Sequence, residues 1–288
     1  MTDVVSNALL KRTKQIDYAQ LEQLCFLGRY QRRIPVSIQR MIENAYDWEH
    51  LPFVHSSTFS DISLIDSGNW GWQAELGSAK SNGQDRSIIE LLVDQDKNYW
   101  ATTVLTGKGT GVEIHTQATA VGAAEIEIDV RFYLPQKTAW LYRKLAYWVL
   151  RRQYHQLYEE DSALMVSRQK ALDENKRWRK NAISPGQRAS AGAQASLDKQ
   201  ATHCIETLQG RYVLQYWQDQ WRAYSATCPH QLGQLDSAAI SDDGVITCPW
   251  HGYRFSVATG TNLDQKCAAL ETPTIVINNG ELFLEFES

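Results

Sequence analysis

Between Arg86 and Leu134 the chain repeats one pattern four times: a short run with apolar residues at alternate positions, closed by turn residues. Arg86–Val93, Asn98–Leu105, Gly111–Ala118 and Ala124–Leu134 each read as a half-buried strand. The period then changes from two to between three and four, which predicts one long helix from about Gln136 to Lys180. Ser184–Ser196 is small and polar with no apolar period, the composition of a linker. Beyond it Thr202–Leu208, Arg211–Trp217 and Trp221–Ala226 read as short strands, and Thr274–Asn278 with Glu281–Glu287 flank Asn279-Gly280, a hairpin turn signal. The pattern predicts an α+β chain: an antiparallel sheet gripping a long helix over 1–182, a linker over 183–200 and an all-β domain over 201–288. Gly107-Lys-Gly109-Thr-Gly111 lies between two strands, so it reads as a hairpin turn and not as a nucleotide loop.

Composition agrees with two domains. The 288 residues, 43% of them apolar, exceed one small β domain by roughly 180 residues, enough for a second core. A formal charge of −4 with no dominating basic block argues against nucleic acid as a partner. Met1 to Lys14 has no apolar h-region and no run reaches about 18 apolar residues, so the expectation is a soluble, cytoplasmic protein.

The chemistry is concentrated in two loops of the C-terminal part, Cys228-Pro-His230 and Cys248-Pro-Trp-His251. Each pairs one Cys with one His, and the prolines fix φ beside the ligands while Gly233 and Gly252 allow tight turns. Two thiolates and two imidazoles in mixed pairs fit a [2Fe-2S] cluster of the Rieske type, in which Cys holds one iron and His the other. A structural zinc site is the competing reading, but zinc fingers pair like with like at wider spacing. Three of the five Cys remain, Cys25, Cys204 and Cys267, an odd remainder that fits reduced thiols better than a disulfide framework.

The run Cys248-Pro-Trp-His251-Gly252-Tyr-Arg-Phe255, followed by Gly260, resembles the Rieske ferredoxin and oxygenase family. Trp250 stands where respiratory Rieske proteins carry an extra Cys, so the resemblance points to the oxygenase-associated branch. A second segment, Glu43-Asn44-Ala-Tyr-Asp47-Trp-Glu-His50-Leu-Pro52-Phe-Val-His55, reads as helical. At about 100° per residue Asn44, Asp47 and His50 share one face, whereas His55 falls about 140° from His50 on an unbroken helix. Pro52 must end or kink the helix, which brings His55 back toward His50.

This segment resembles the Asn-x-x-Asp-x-x-His-x4-His segment of the Rieske non-haem iron oxygenases. The resemblance implies a START-like helix-grip domain whose His50 and His55, with a later carboxylate, hold mononuclear Fe(II) with positions open for O2 and substrate. It also implies that Asp47 bridges cluster and iron and that Asn44 lines the site. For the third ligand, Glu159, Glu160 and Asp161 are candidates; Asp161 has Tyr154, Leu157, Tyr158, Leu164 and Met165 at helical spacing, the more apolar face, where a carboxylate needs a compensating partner. Asp161 is therefore the expected ligand.

The implied activity is a Rieske mono- or dioxygenase that takes electrons from an external ferredoxin or flavin reductase and hydroxylates or dealkylates an apolar or aromatic small molecule, with Trp70, Trp72 and Trp100 as candidate pocket residues. The domain order is reversed from the family's, with the iron segment first. The family's homotrimer, in which cluster and iron of neighbouring subunits meet, is a further implication. The competing reading is a Rieske electron carrier fused to a non-catalytic domain that binds a lipid or small molecule. Finally, Trp140, Tyr142, Arg143, Lys144, Tyr147, Trp148, Arg151 and Arg152 make an aromatic and basic helix segment. Peripheral membrane contact is the disfavoured reading of it, and packing against the sheet the favoured one.

Overall fold

The structure, a computed structural model, describes residues 13–179 and 188–286. It divides into two compact units, Met1–Met165 and Val166–Ser288. The first is built on β1 (Cys25–Ile34), β2 (Phe59–Gly68), β3 (Gly71–Ser78), β4 (Arg86–Asp94), β5 (Tyr99–Val104), β6 (Glu113–Gly122) and β7 (Glu125–Leu134), with α1 (Ile38–Tyr46) and α2 (Leu51–Val54) between β1 and β2. The strands form an antiparallel sheet in the order β1-β7-β6-β5-β4-β3-β2. The four strands read from alternation lie close to their expected places, whereas β1, β2 and β3 were not expected. β3 is buried on both faces and β2 is a largely exposed edge, so neither shows a clean two-residue period.

The long helix α3 (Trp140–Arg179) follows, starting somewhat later than the expected Gln136. Its inner face is pinned to the sheet by aromatic edges: the Phe132 ring meets Tyr147 at 6.1 Å and Tyr154 at 5.4 Å between centroids. The Tyr147 hydroxyl donates to the Arg29 carbonyl at 2.7 Å, and Arg143 donates to the Phe26 carbonyl at 3.0 Å. Tyr158, Leu164 and Met165 are buried at helical spacing on the same side. A sheet gripping one long helix is the helix-grip, START-like fold expected. The aromatic segment does not all turn inward, however: Trp140, Leu141, Tyr142, Leu145, Trp148 and Val149 are exposed, which corrects the reading that it packs within its own domain. Trp72 and Trp100 are buried core residues, and Trp72 donates its indole N–H to the Ala45 carbonyl at 2.9 Å.

The second unit is all-β after the end of α3. It contains β8 (Arg188–Ala193), β9 (His203–Glu206), β10 (Arg211–Trp217), β11 (Gln220–Ser225), β12 (Val245–Thr247), β13 (Arg254–Ser256), β14 (Thr274–Asn278) and β15 (Glu281–Glu285). Three small sheets result, β11-β10-β9, β12-β13 and β14-β15-β8. Asn279 and Gly280 both take positive φ and close the β14–β15 hairpin as their sequence requires. The expected linker differs in the structure: residues 188–193 are a strand paired to β15, because small residues alternate beside Leu282 and Leu284 without an apolar signature of their own. The expected boundary at 182–183 lies outside the described residues. Phe255, Tyr224, Leu235, Ile246 and Val213 form a core beneath the two Cys-His loops. Among the described residues no helix is long and apolar enough to cross a membrane.

Candidate metal centres

In the second unit, Cys228 and His230 sit in the turn after β11, and Cys248 and His251 sit in the turn between β12 and β13. Each turn is closed by its own backbone: Cys228 N–H donates to Gly233 O at 2.8 Å, and Cys248 N–H donates to Tyr253 O at 2.8 Å. Leu232 and Gly252 supply the left-handed residues, at φ 64° and 66°. Gly233 serves a different purpose, because a Cβ there would lie 2.9 Å from the Trp250 ring and 3.0 Å from the Cys248 sulfur. Both thiols are fully buried. The hydrogen bond between the sulfurs holds the Cys248 thiol down to about 5 and pushes Cys228 up, so the pair sheds its first proton easily and its second with difficulty. The His230 and His251 rings face each other at 4.6 Å between centroids, and Tyr253 stacks on His230 at 4.5 Å. Two buried thiols and two imidazoles converging from stiff turns are the donor set that a [2Fe-2S] cluster of this type needs. All five cysteines are free of disulfides.

In the first unit, α1 starts at Ser37, whose hydroxyl accepts from the Arg40 N–H, and stops at Tyr46. Pro52 lacks an N–H and would strike the carbonyl four residues before it, so the chain breaks over 47–50 and restarts with the proline in the first turn of α2. His50 and His55 therefore flank that short helix, and their ring centroids come within 5.2 Å. From the middle of α3, Asp161 meets both: Oδ1 lies 3.2 Å from His50 Nε2 and 3.0 Å from His55 Nε2. One ligand atom from each of the three fits within 4.8 Å, and all three residues are buried.

Two partners orient this set. Asp47 Oδ2 lies 3.7 Å from His50 Nδ1. Glu160 Oε2 accepts from His55 Nδ1 at 2.6 Å, which leaves Nε2 facing Asp161. Glu160 is itself held by Gln156 at 3.0 Å. Glu159, the other acidic neighbour, turns away to Arg32 at 2.7 Å. Burial opposes a charge on His50, but the carboxylates of Asp161 and Asp47 outweigh it and hold its pKa up to about 10. Burial likewise opposes the charge on Asp161, and the His55 and His50 imidazoles outweigh it and keep that carboxyl well below the usual carboxylate range. Both His50 nitrogens, Asp161 Oδ1 and Asn44 Oδ1 are buried without an aligned hydrogen bond among the described residues. Two imidazoles and a carboxylate this close, paired by charge but without well-aligned hydrogen bonds, make a ligand set that a cation fits. The structure thus brings His50, His55 and Asp161 together, places Asp47 behind His50, and keeps Asn44 one turn earlier on α1. The role of Glu160 was missed, because its helical neighbours are polar and the ring it serves is remote in sequence.

Residues 188–274 match the Rieske [2Fe-2S] domain. Two curated relatives are ferredoxins: the ferredoxin component of the alkene monooxygenase system of Xanthobacter autotrophicus is 28% identical over 67 residues, covering 23% of this chain and 55% of the relative. Ferredoxin CarAc of Metapseudomonas resinovorans is 33% identical over 70 residues, covering 24% of this chain and 64% of the relative. The chain therefore spans between about half and two thirds of the length of these relatives. Among solved structures, the Zhui aromatase/cyclase of Streptomyces sp. R1128 is similar over 49% of this chain and 93% of its own, at 10% identity and a TM-score of 0.42. A START superfamily protein of Mycobacterium smegmatis is similar over 48% of this chain and 97% of its own, at 16% identity and a TM-score of 0.39.

The expectation that the chain is itself a Rieske non-haem iron mono- or dioxygenase is corrected by the sequence relatives, which are ferredoxins, the electron-carrying members of the resemblance. The domain match begins at residue 188 and does not reach His50, His55 or Asp161. A ligand arrangement is shared by many chemistries, so the resemblance of one short helical segment could not specify oxygen chemistry. The C-terminal part carries a Rieske [2Fe-2S] domain.

Proposed function

We propose that this chain is a one-electron carrier of the Rieske type, joined to a helix-grip domain that binds a small molecule and holds a single metal ion on His50, His55 and Asp161. The observation that carries this reading is the convergence of Cys228, His230, Cys248 and His251 from two tight turns, with both sulfurs buried and the two imidazoles facing each other. Cys228 and Cys248 would hold one iron, and His230 and His251 the other. When bound, the cluster supplies reversible one-electron transfer at a potential above that of an all-Cys centre. The chain's own residues shape the site: the missing side chain at Gly233 leaves room for both the Trp250 ring and the Cys248 sulfur, and Tyr253 stacks on the His230 ring. The redox partner is an external ferredoxin or flavin reductase, in keeping with the ferredoxin relatives.

In the helix-grip domain two imidazoles and one carboxylate suit Fe(II). Asp47 and Glu160 act as positioning residues that aim the His50 and His55 rings, and Asn44 lends a buried amide oxygen beside them. An EPR-monitored redox titration of the full chain tests the carrier reading. One electron per cluster at a midpoint between about −150 and +300 mV supports it, and a midpoint near −400 mV, the range of all-Cys plant-type clusters, would refute the mixed ligand set.

A further inference from the structure

The first half of α3 carries apolar residues on two opposite faces, and the sheet accounts for only one. At about 100° per residue Tyr142, Val149, Leu145, Leu141 and Trp148 fall in one arc of roughly 120°, turned away from the Tyr147 and Tyr154 edge that meets Phe132. Leu141 is 71% exposed, and Leu145 and Trp148 are each 59% exposed. One border of this arc is cationic, with Lys144 above the Trp140 ring at 4.0 Å and Arg151 one to two turns further on. Arg152 reaches over the Trp148 ring at 6.0 Å. Trp148, Arg151, Arg152 and His155 line a cleft of about 280 Å3. From Pro135 to Tyr158 the sequence contains no Asp or Glu, in a chain whose formal charge is −4.

We propose that this face of α3 docks on an anionic lipid bilayer, lying in the plane of the interface. Tyr and Trp suit the headgroup level, Leu and Val reach the acyl boundary about 5–10 Å below it, Lys144 and Arg151 on the border meet lipid phosphates, and Arg152, at the C-terminal end of the arc one turn after Trp148, extends its guanidinium to the same level. The attraction is local, because the negative chain as a whole is repelled by such a surface. Charge also separates this occupant from a second copy of the chain. A two-fold contact would set Lys144, Arg151 and Arg152 against themselves, whereas an anionic bilayer complements all three.

The test is co-sedimentation of the full chain with extruded vesicles of phosphatidylcholine alone or phosphatidylcholine mixed with phosphatidylglycerol, at low and high salt. The expected result is binding to the anionic vesicles that weakens with salt and is slight on neutral ones. Arg151→Glu with Arg152→Glu should lower the partition coefficient at least about 25-fold, near fivefold for each cation removed. Leu145→Asp with Trp148→Asp should abolish binding while the circular dichroism stays that of the parent, since both side chains are exposed. The proposal is overturned if the parent chain stays in the supernatant with anionic vesicles, if either double variant binds like the parent, or if neutral vesicles bind equally. It is also overturned if sedimentation velocity shows a self-associated parent that Leu145→Asp makes monomeric while vesicles capture neither.

Discussion

Replacing Asp161 by Asn keeps the shape of the His50–His55–Asp161 cluster and removes the carboxylate that lies within reach of both imidazole Nε2 atoms. In the metal-free protein that carboxylate holds the buried His50 imidazolium, whose pKa stands at about 10. A raised His pKa means that this stabilisation is fully present below the unfolded value near 6.5 and is lost as pH rises through about 10. Asp161 has the opposite sign: its lowered pKa contributes stability above the ordinary carboxylate range, lost as pH falls through its folded value. The pair is therefore most stabilising from about pH 4 to 6.5. Breaking it should cost on the order of 3–5 kcal/mol near pH 6, because one buried charge is left without its partner. The cost should shrink as pH rises through about 10, above which His50 is neutral in the parent as well. Metal competes with that proton, so the affinity of the parent for Co(II), used as a stand-in for Fe(II), should rise about tenfold per pH unit below the His50 pKa. Urea unfolding of the metal-free parent and Asp161→Asn across pH, with calorimetric Co(II) titrations at each pH, measures both effects. Equal stability of the two proteins near pH 6, or Co(II) binding by Asp161→Asn as tight as by the parent, would refute the reasoning.

Other side chains give independent checks. Glu160→Gln leaves the three ligands in place but loosens the His55 ring, so Co(II) affinity should fall about 10- to 100-fold with little change in cluster absorbance. Gly233→Ala forces a methyl against Trp250 and the Cys248 sulfur, and should cost about 1–3 kcal/mol of stability and lower cluster occupancy measured by visible absorbance and sulfide assay. Phe255→Ala empties the centre of the core beneath the cluster turns, and should destabilise the protein by about 3–5 kcal/mol in chemical unfolding.

What the sequence disclosed follows from how local each signal is. The two Cys-His turns are marked by Pro229 and Pro249, so the presence of a Rieske domain was legible from two short stretches of sequence. The helix break before Pro52 follows from backbone sterics and is present in the structure, and helical periodicity puts Asp161 on the face that lies near His50 and His55. Glu160 was weighed only as a ligand, and its hydrogen bond to His55 was not legible because that ring, at the end of α2, is remote in sequence. β12 and β13 are three residues each, below any periodic signal, and β8 is built from small residues that read as linker. The outward face of α3 was misjudged because an aromatic residue on a helix does not declare which side meets the sheet; Phe132 decides that for Tyr147 and Tyr154, whereas Trp148 is exposed. The reading of the chain as an oxygenase failed at another level, since a ligand triad constrains which ion binds far more than which reaction follows.

Anaerobic quantification of iron, zinc and acid-labile sulfide in the purified full chain tests the carrier most directly. The account predicts about two sulfides per chain, with two irons assigned to Cys228, Cys248, His230 and His251 and lost together with the sulfide in Cys248→Ser. Stoichiometric zinc without sulfide, or an iron and sulfide content unchanged in Cys248→Ser, would contradict it.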